Sequence, residues 1–330
     1  MSSSMLLDCT GSLRYSMGSM DLISTLNNPI PQGAVCTLVT TADGFKLRAM
    51  SARVSKPKGT VVIIGGRADF MERYFETMQD LMSRGFCVAS LDVRGQGGSQ
   101  RLLTDPMRGH VKRFEQYDED LRSFMTQVVL PDCPPPYYAI AHSTGGNILL
   151  RSLRNRNWFK KCVLVSPLLG LKYGAWPVPV VRVLTTLASL LGLGWAYLPG
   201  QRHTPLGAKD FVGNPLSSDS RRWARDCAVL ESAPRLGVGG PTYGWLRAAI
   251  KSIDQLAKLR AAKDVRCPVL IVAAGRDQIV DIDASYRFAN NVTSVSMIVI
   301  REALHEILLE SDEVRAQFLA AFDTFVAETA

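Results

Sequence analysis

The stretch Tyr137–Leu153, YYAIAHSTGGNILLRSL, limits what this chain can fold into. It opens on an apolar, aromatic run (Tyr137, Tyr138, Ala139, Ile140, Ala141) that suits a buried strand. It closes on Ile148, Leu149 and Leu153, which recur at loose helical spacing. Between the two stands His142-Ser143-Thr144-Gly145-Gly146. A strand that becomes a helix so abruptly needs a tight turn between small neighbours, here Ala141, Gly145 and Gly146. Such a turn lifts the serine hydroxyl off the sheet and sets it at a helix N-terminus, where free backbone N–H groups favour developing negative charge. The pattern A-H-S-T-G fits G-x-S-x-G with Ala141 in place of the first glycine. Five residues alone are weakly specific; the strand before and the helix after supply the strength.

The rest of the chain repeats the theme. Strands are expected around Val35–Thr40 and Lys46–Val54, at Thr60–Ile64, at Phe86–Leu91 and at Lys161–Val165. Helices are expected over Phe70–Arg84 and Phe114–Val129. The alternation stops at Ser166-Pro167, where prolines and apolar helical pieces take over, and resumes with strands at Cys267–Ala273 and Met297–Ile300 and a closing helix at Glu313–Val326. This predicts an α/β fold: a mostly parallel central sheet with helices on both faces and an inserted helical cap. The expected division is an irregular leader over 1–35, a core of 36–166 and 250–330, and a cap of 167–249. The loop Asp92-Val93-Arg94-Gly95-Gln96-Gly97-Gly98-Ser99 is no dinucleotide fingerprint, because the third required glycine falls on Gln100.

Composition narrows the class. The 47% hydrophobic and 21% charged content is that of a globular enzyme. Seven scattered cysteines without C-x-x-C argue for reduced thiols and a cytoplasmic setting. The first 20 residues lack the basic start and apolar run of an export signal, and Met17 and Met20 leave a later start open. Val178–Leu198 is broken by Pro179 and Arg182 and is no convincing membrane span. Residues 151–266 hold 19 basic against 6 acidic side chains, a surplus larger than the +8 of the whole chain. That basic middle suits an anionic membrane at its inner surface, an acidic substrate, or a plain solvated face. Nucleic acid is disfavoured, since no binding motif accompanies the charge.

A nucleophilic serine needs a base, and the base an orienting acid. With the serine on such a turn, the chain order is serine, acid, histidine, each on a loop at the carboxyl edge of the sheet. Of four histidines, His305 follows the last strand and fits the base. His142 adjoins the serine but points away, and His110 and His203 precede the acid. Asp277 follows the strand Cys267–Ala273 and fits the acid, with Asp281 and Asp283 as competitors; Asp283 reads as the cap of a helix over Ala284–Ala289. The oxyanion donors are expected to be the backbone N–H groups of Thr144 and of Arg67 in the loop after Thr60–Ile64. No metal or organic cofactor is required.

Here the chain resembles the bacterial lysophospholipases related to monoglyceride lipases, within the α/β-hydrolase superfamily. The matching pieces are Gly65–Phe70, Asp92–Ser99, Ala141–Gly146, Gly275-Arg276-Asp277 and Ala303–Glu306, over about Pro31–Phe325. The resemblance implies an α/β-hydrolase fold, a triad of Ser143, Asp277 and His305, and a lysophospholipid or monoacylglycerol substrate. Two departures, Gly65-Gly66 where many relatives have His-Gly and Thr144 where many have Met, bear on substrate and not on mechanism. The alternatives are a related aminopeptidase or thioesterase, and a non-catalytic lipid- or partner-binding protein. In the cap, Val180, Leu184, Leu187 and Leu191 share one helical face. That face either packs on the core or, with Leu184, Leu187 and Leu191 as substrate-binding residues, lines an acyl path.

Overall fold

The computed structural model describes residues 21–327, apart from 175, 202, 206–210, 259–264 and 266. Most of the expected leader therefore lies outside the described residues. Eight strands form one sheet in the order β1-β2-β4-β3-β5-β6-β7-β8. They are β1 (Val35–Thr40), β2 (Lys46–Ala52), β3 (Thr60–Ile64), β4 (Cys87–Leu91), β5 (Tyr137–His142), β6 (Lys161–Val165), β7 (Val269–Ala274) and β8 (Val295–Ile300). The β1–β2 and β2–β4 pairs are antiparallel and the remaining pairs parallel. The strands β3, β4, β6 and β7 are buried along their whole length, because helices cover both faces.

The helices are α1 (Phe75–Ser83), α2 (Glu115–Phe124), the short α3 (Leu130–Asp132), α4 (Thr144–Leu153), α5 (Val178–Leu190), α6 (Ser220–Ser232), α7 (Tyr243–Leu256), α8 (Ile282–Asn291) and α9 (Asp312–Ala327). One core face gathers Leu121, Phe124, Ile148 and Leu149 with the outward residues of β3 and β5. The other gathers Phe75, Met78, Phe318 and Phe322 on the opposite side. Between β6 and β7 the described chain holds α5, α6 and α7 and no strand of the sheet.

Local chemistry moved several boundaries. The helix expected over Phe70–Arg84 begins as a 3-10 turn at Met71–Tyr74. The one expected over Phe114–Val129 passes from α2 through a π-helical turn at Met125–Val129 into α3. Pro131 has no amide hydrogen for the carbonyl one turn back, so the ladder widens there. Strand β7 starts at Val269 and not at Cys267, past Pro268, which cannot donate to the ladder. Asp283 is not the cap of α8: Asp281 is extended and its carboxylate accepts the Asp283 N–H, so Asp283 already lies in the first turn.

Candidate active site

Ser143 joins β5 to α4 with φ +50° and ψ −114°, a conformation a side chain seldom adopts. Neighbouring contacts hold it there. The Ser143 N–H donates to Val165 O at 2.9 Å, and its carbonyl accepts from Leu168 N at 2.9 Å and Gly146 N at 3.0 Å. The glycines are needed for close approach. A Cβ on Gly145 would stand 2.3 Å from the Ile64 carbonyl oxygen, and one on Gly146 2.8 Å from the Pro167 ring. The helix therefore starts hard against β3 and the turn after β6.

The loops after β7 and β8 bring the other two groups. His305 Nε2 lies 3.0 Å from Ser143 Oγ, and His305 Nδ1 lies 2.7 Å from Asp277 Oδ2. All three side chains are buried. Asp277 Oδ1 accepts the N–H groups of Ile279 at 2.8 Å and Val280 at 2.9 Å. Burial would raise the Asp277 pKa, but the His305 hydrogen bond and these amides outweigh it and hold the carboxyl below its ordinary value. Asp281 is engaged by the Asp283 amide and by Arg287. The array can deprotonate a serine hydroxyl and hold the resulting imidazolium in one orientation.

Among the described residues, the N–H groups of Thr144 and Arg67 have no protein acceptor, and both residues line the cavity over Ser143. The Arg67 loop is fixed on either side. Ala68 N donates to Gln96 Oε1 at 3.1 Å, and Gln96 Nε2 donates to Gly66 O at 2.7 Å. Ala68 itself takes φ +63°. Gln96, in the glycine-rich loop after β4, is thus the clamp of the candidate oxyanion loop. The sequence alone shows that loop as failing the dinucleotide pattern and as one piece of the family resemblance, with no role for Gln96.

A second buried array lies behind the first. Arg73 pairs with Asp69, with Asp226 of α6 at 2.7 Å and with Glu306 at 2.5 Å. The Asp69 carboxylate also accepts from Gly66 N and Tyr74 Oη, each at 2.5 Å, and meets His142 Nδ1 at 3.3 Å. His142 Nε2 faces the His305 carbonyl at 3.3 Å. Burial opposes ionisation of Asp69, yet Arg73, His142 and Tyr74 hold its carboxyl well below the usual range. Burial would lower the His142 pKa, but its bond to Asp69 outweighs that and raises it. The array ties the oxyanion loop, the serine turn, the histidine loop and α6 together. Asp69, Arg73 and Tyr74 share one segment, but His142, Asp226 and Glu306 come from distant parts of the chain, so no local pattern announces the array.

The cavity over Ser143 measures about 870 Å³. Leu168, Leu171, Val181, Leu246 and Ile279 give it long apolar walls, and Trp245 and Tyr243 close one side. Of the expected acyl-path residues, Leu184 lines it, beside Val181 and Thr185. Leu187 and Leu191 do not: they are 50% and 75% exposed and face outward. The inward side of α5 is Val181, Thr185, Ala188 and Ser189, which packs against α7, where Asp254 holds Arg182 at 2.5 Å. A helix apolar on both sides gives no sequence signal for which side turns in.

The chain resembles known proteins along most of its length. The family described as "Serine aminopeptidase, S33" matches residues 55–312. Lysophospholipase L2 of Escherichia coli strain K12 is 33% identical over 303 residues, 87% of this chain and 85% of that protein. A monoacylglycerol lipase of Mycolicibacterium smegmatis is 26% identical over 78% of this chain and 84% of its own. Among solved structures, a soluble variant of monoglyceride lipase from Saccharomyces cerevisiae, bound to a substrate analog, superposes with a TM-score of 0.67 at 20% identity, covering 89% of this chain and 96% of that one. That likeness bears on the fold, which is the α/β-hydrolase fold.

Proposed function

We propose that this chain, which belongs to the serine aminopeptidase S33 family of α/β-hydrolases, cleaves the carboxylic ester of a lysophospholipid or monoacylglycerol through an acyl-serine intermediate. The observation that carries the reading is the hydrogen-bonded line Ser143–His305–Asp277 at the base of a large, mainly apolar cavity. His305 Nε2 takes the hydroxyl proton as Ser143 Oγ attacks the ester carbonyl carbon. The oxyanion is held by the Thr144 and Arg67 N–H groups, and Asp277 holds the imidazolium through Nδ1. Collapse breaks the ester C–O bond, and the His305 proton passes to the departing glycerol oxygen. Water then enters, gives a proton to His305 and adds to the acyl carbon; collapse releases the fatty acid and restores Ser143.

The cavity chemistry favours a lipid over a peptide. An aminopeptidase needs a free carboxylate for the substrate's ammonium group. Among the described residues, the carboxylate on the cavity wall is Glu306, and it is already paired with Arg73. Apolar walls reward a long acyl chain by about 0.8 kcal/mol for each buried methylene. The outer side of α5 and the turn after it extend the same logic to the membrane: Val183, Leu187 and Leu190, followed by Leu191 and Trp195, are exposed next to the Leu184 wall of the cavity. An apolar face beside the cavity wall suits a peripheral seat on a lipid surface, from which the substrate is drawn. Among the described residues, no helix is long and apolar enough to cross a membrane.

The test is fatty-acid release from lysophospholipids and monoacylglycerols beside a short soluble ester and aminoacyl anilides. Long-chain lipid esters are expected to give the highest kcat/KM. Preference for the anilides would replace this reading with the peptidase one.

A further inference from the structure

Among the described residues, the buried arginines are matched by acids. Arg48 pairs with Glu72 and Asp92, Arg73 with three carboxylates, and Arg94 with Asp43 and Asp120. Half-buried Arg101 lacks a carboxylate but donates to the carbonyls of Ser99, Arg235 and Gly237. Arg67, half-buried, has neither an acid nor such a set of carbonyls. It lines the cavity over Ser143, yet among the described residues no carboxylate lies within ion-pair distance of its guanidinium. Among the described residues one hydrogen bond reaches it, from Nη1 to Gly239 O at 2.9 Å, and the guanidinium stands 5.8 Å from the centre of the Trp245 ring. Burial pulls its pKa below the ordinary arginine value.

A cation partly withdrawn from bulk water without a counter-charge carries a cost, and that cost falls when a ligand brings the missing anion. Arg67 lines the cavity, and beyond the one donor on Gly239 its guanidinium keeps donors in the fork geometry that grips phosphate oxygens in pairs. Gln201 shares this wall: its side chain packs on Gly240, next to the carbonyl that Arg67 holds. Trp245 and Gly239 fix the guanidinium in place, so little side-chain freedom is lost on binding. The backbone of the same residue faces the candidate oxyanion site. An anion gripped by the side chain therefore sits one arginine length from the ester under attack, as the phosphate of a lysophospholipid sits one glycerol unit from its acyl ester.

We propose that the Arg67 side chain, backed by Trp245 and Gly239, is the receptor for the phosphate of the substrate headgroup and selects lysophospholipids over monoacylglycerols. The inference rests on the ester-hydrolase reading of the same site and narrows its substrate class.

The experiment compares kcat/KM for lysophosphatidic acid, lysophosphatidylethanolamine and the monoacylglycerol of the same chain length, in wild type, Arg67→Gln and Arg67→Lys. The readout is the ratio of phosphate-bearing to neutral substrate, which corrects for any disturbance of the Arg67 loop common to all three. Loss of a charge-assisted contact is expected to lower that ratio about 10- to 100-fold in Arg67→Gln, and less in Arg67→Lys, which keeps the charge and loses the fork. An unchanged ratio in both variants overturns the proposal. So does a result in which only inhibition by inorganic phosphate depends on Arg67, which marks a free-anion site. Wild-type hydrolysis of monoacylglycerol with none of either lysophospholipid overturns it too and leaves the ester-hydrolase reading standing. Hydrolysis of none of the three lipids, with a short ester still cleaved, removes the lipid reading itself.

Discussion

At the scale of single residues, position after a strand carried most of the information. Ser143, Asp277 and His305 each follow a sheet strand at its carboxyl end, and the folded chain sets His305 3.0 Å from Ser143 on one side and 2.7 Å from Asp277 on the other. Choosing among the acids was harder, because Asp277, Asp281 and Asp283 lie in one short segment. Geometry separates them. Asp277 faces His305, whereas Asp281 caps α8. Asp277→Asn should keep the fold and lower ester turnover by roughly 10³–10⁴-fold, since the amide favours the wrong imidazole tautomer. Asp281→Asn should stay within about threefold of wild type, because Asn caps a helix nearly as well as Asp. Steady-state turnover of both variants checks this; equal losses would detach Asp277 from the chemistry. What could not be read were Asp69, Arg73, Tyr74 and Gln96. Their roles depend on partners brought in from other loops, and a residue's own neighbours in sequence say nothing about those.

At the scale of elements, strands were legible because buried β-branched runs such as Thr60–Ile64 have few other uses. Helix α5 was legible as a helix and not as an orientation. Its apolar residues cover most of its circumference, so burying Val181 and Thr185 leaves Leu187, Leu190 and Leu191 outside. The outcome changes what a substitution there tests. Leu187 is half exposed, so Leu187→Asp should fold normally. If the outer face seats on lipid, the change forfeits about 1.5–3 kcal/mol of side-chain burial in the membrane. Turnover of lysophospholipid embedded in vesicles should fall at least about tenfold, with turnover of a short soluble ester within about twofold of wild type. Equal turnover on vesicles by both proteins would return the outer face to plain solvent exposure.

At the scale of the whole molecule, the alternation of strands and helices and its interruption after Ser166 could be read directly, whereas the fastening of the interrupting segment could not. Much of that fastening is ionic. Glu76 of α1 meets Arg222 of α6 at 2.5 Å and Arg225 at 2.6 Å, with Arg315 of α9 nearby. Burial would raise the Glu76 pKa, but these arginines outweigh it and bring it from the ordinary 4.5 to about 2. A carboxyl depressed on folding stabilises the protein above its unfolded pKa and loses that contribution as pH falls toward the folded value. Glu76→Gln should therefore cost about 1 kcal/mol at pH 7 after allowance for partial exposure, with the gap closing as pH falls from about 4.5 to about 2. Denaturant melts of both proteins across that range measure it; a gap that persists at the acid end contradicts the assignment. The central claim, that Ser143 is the nucleophile of an ester hydrolase, is tested most directly by fluorophosphonate labelling followed by mass mapping of the modified peptide. The expected result is one adduct, on Ser143, absent from Ser143→Ala and strongly slowed in His305→Ala, with ester turnover lost in parallel by at least about 10³-fold. An adduct on another residue, or wild-type turnover by Ser143→Ala, would contradict it.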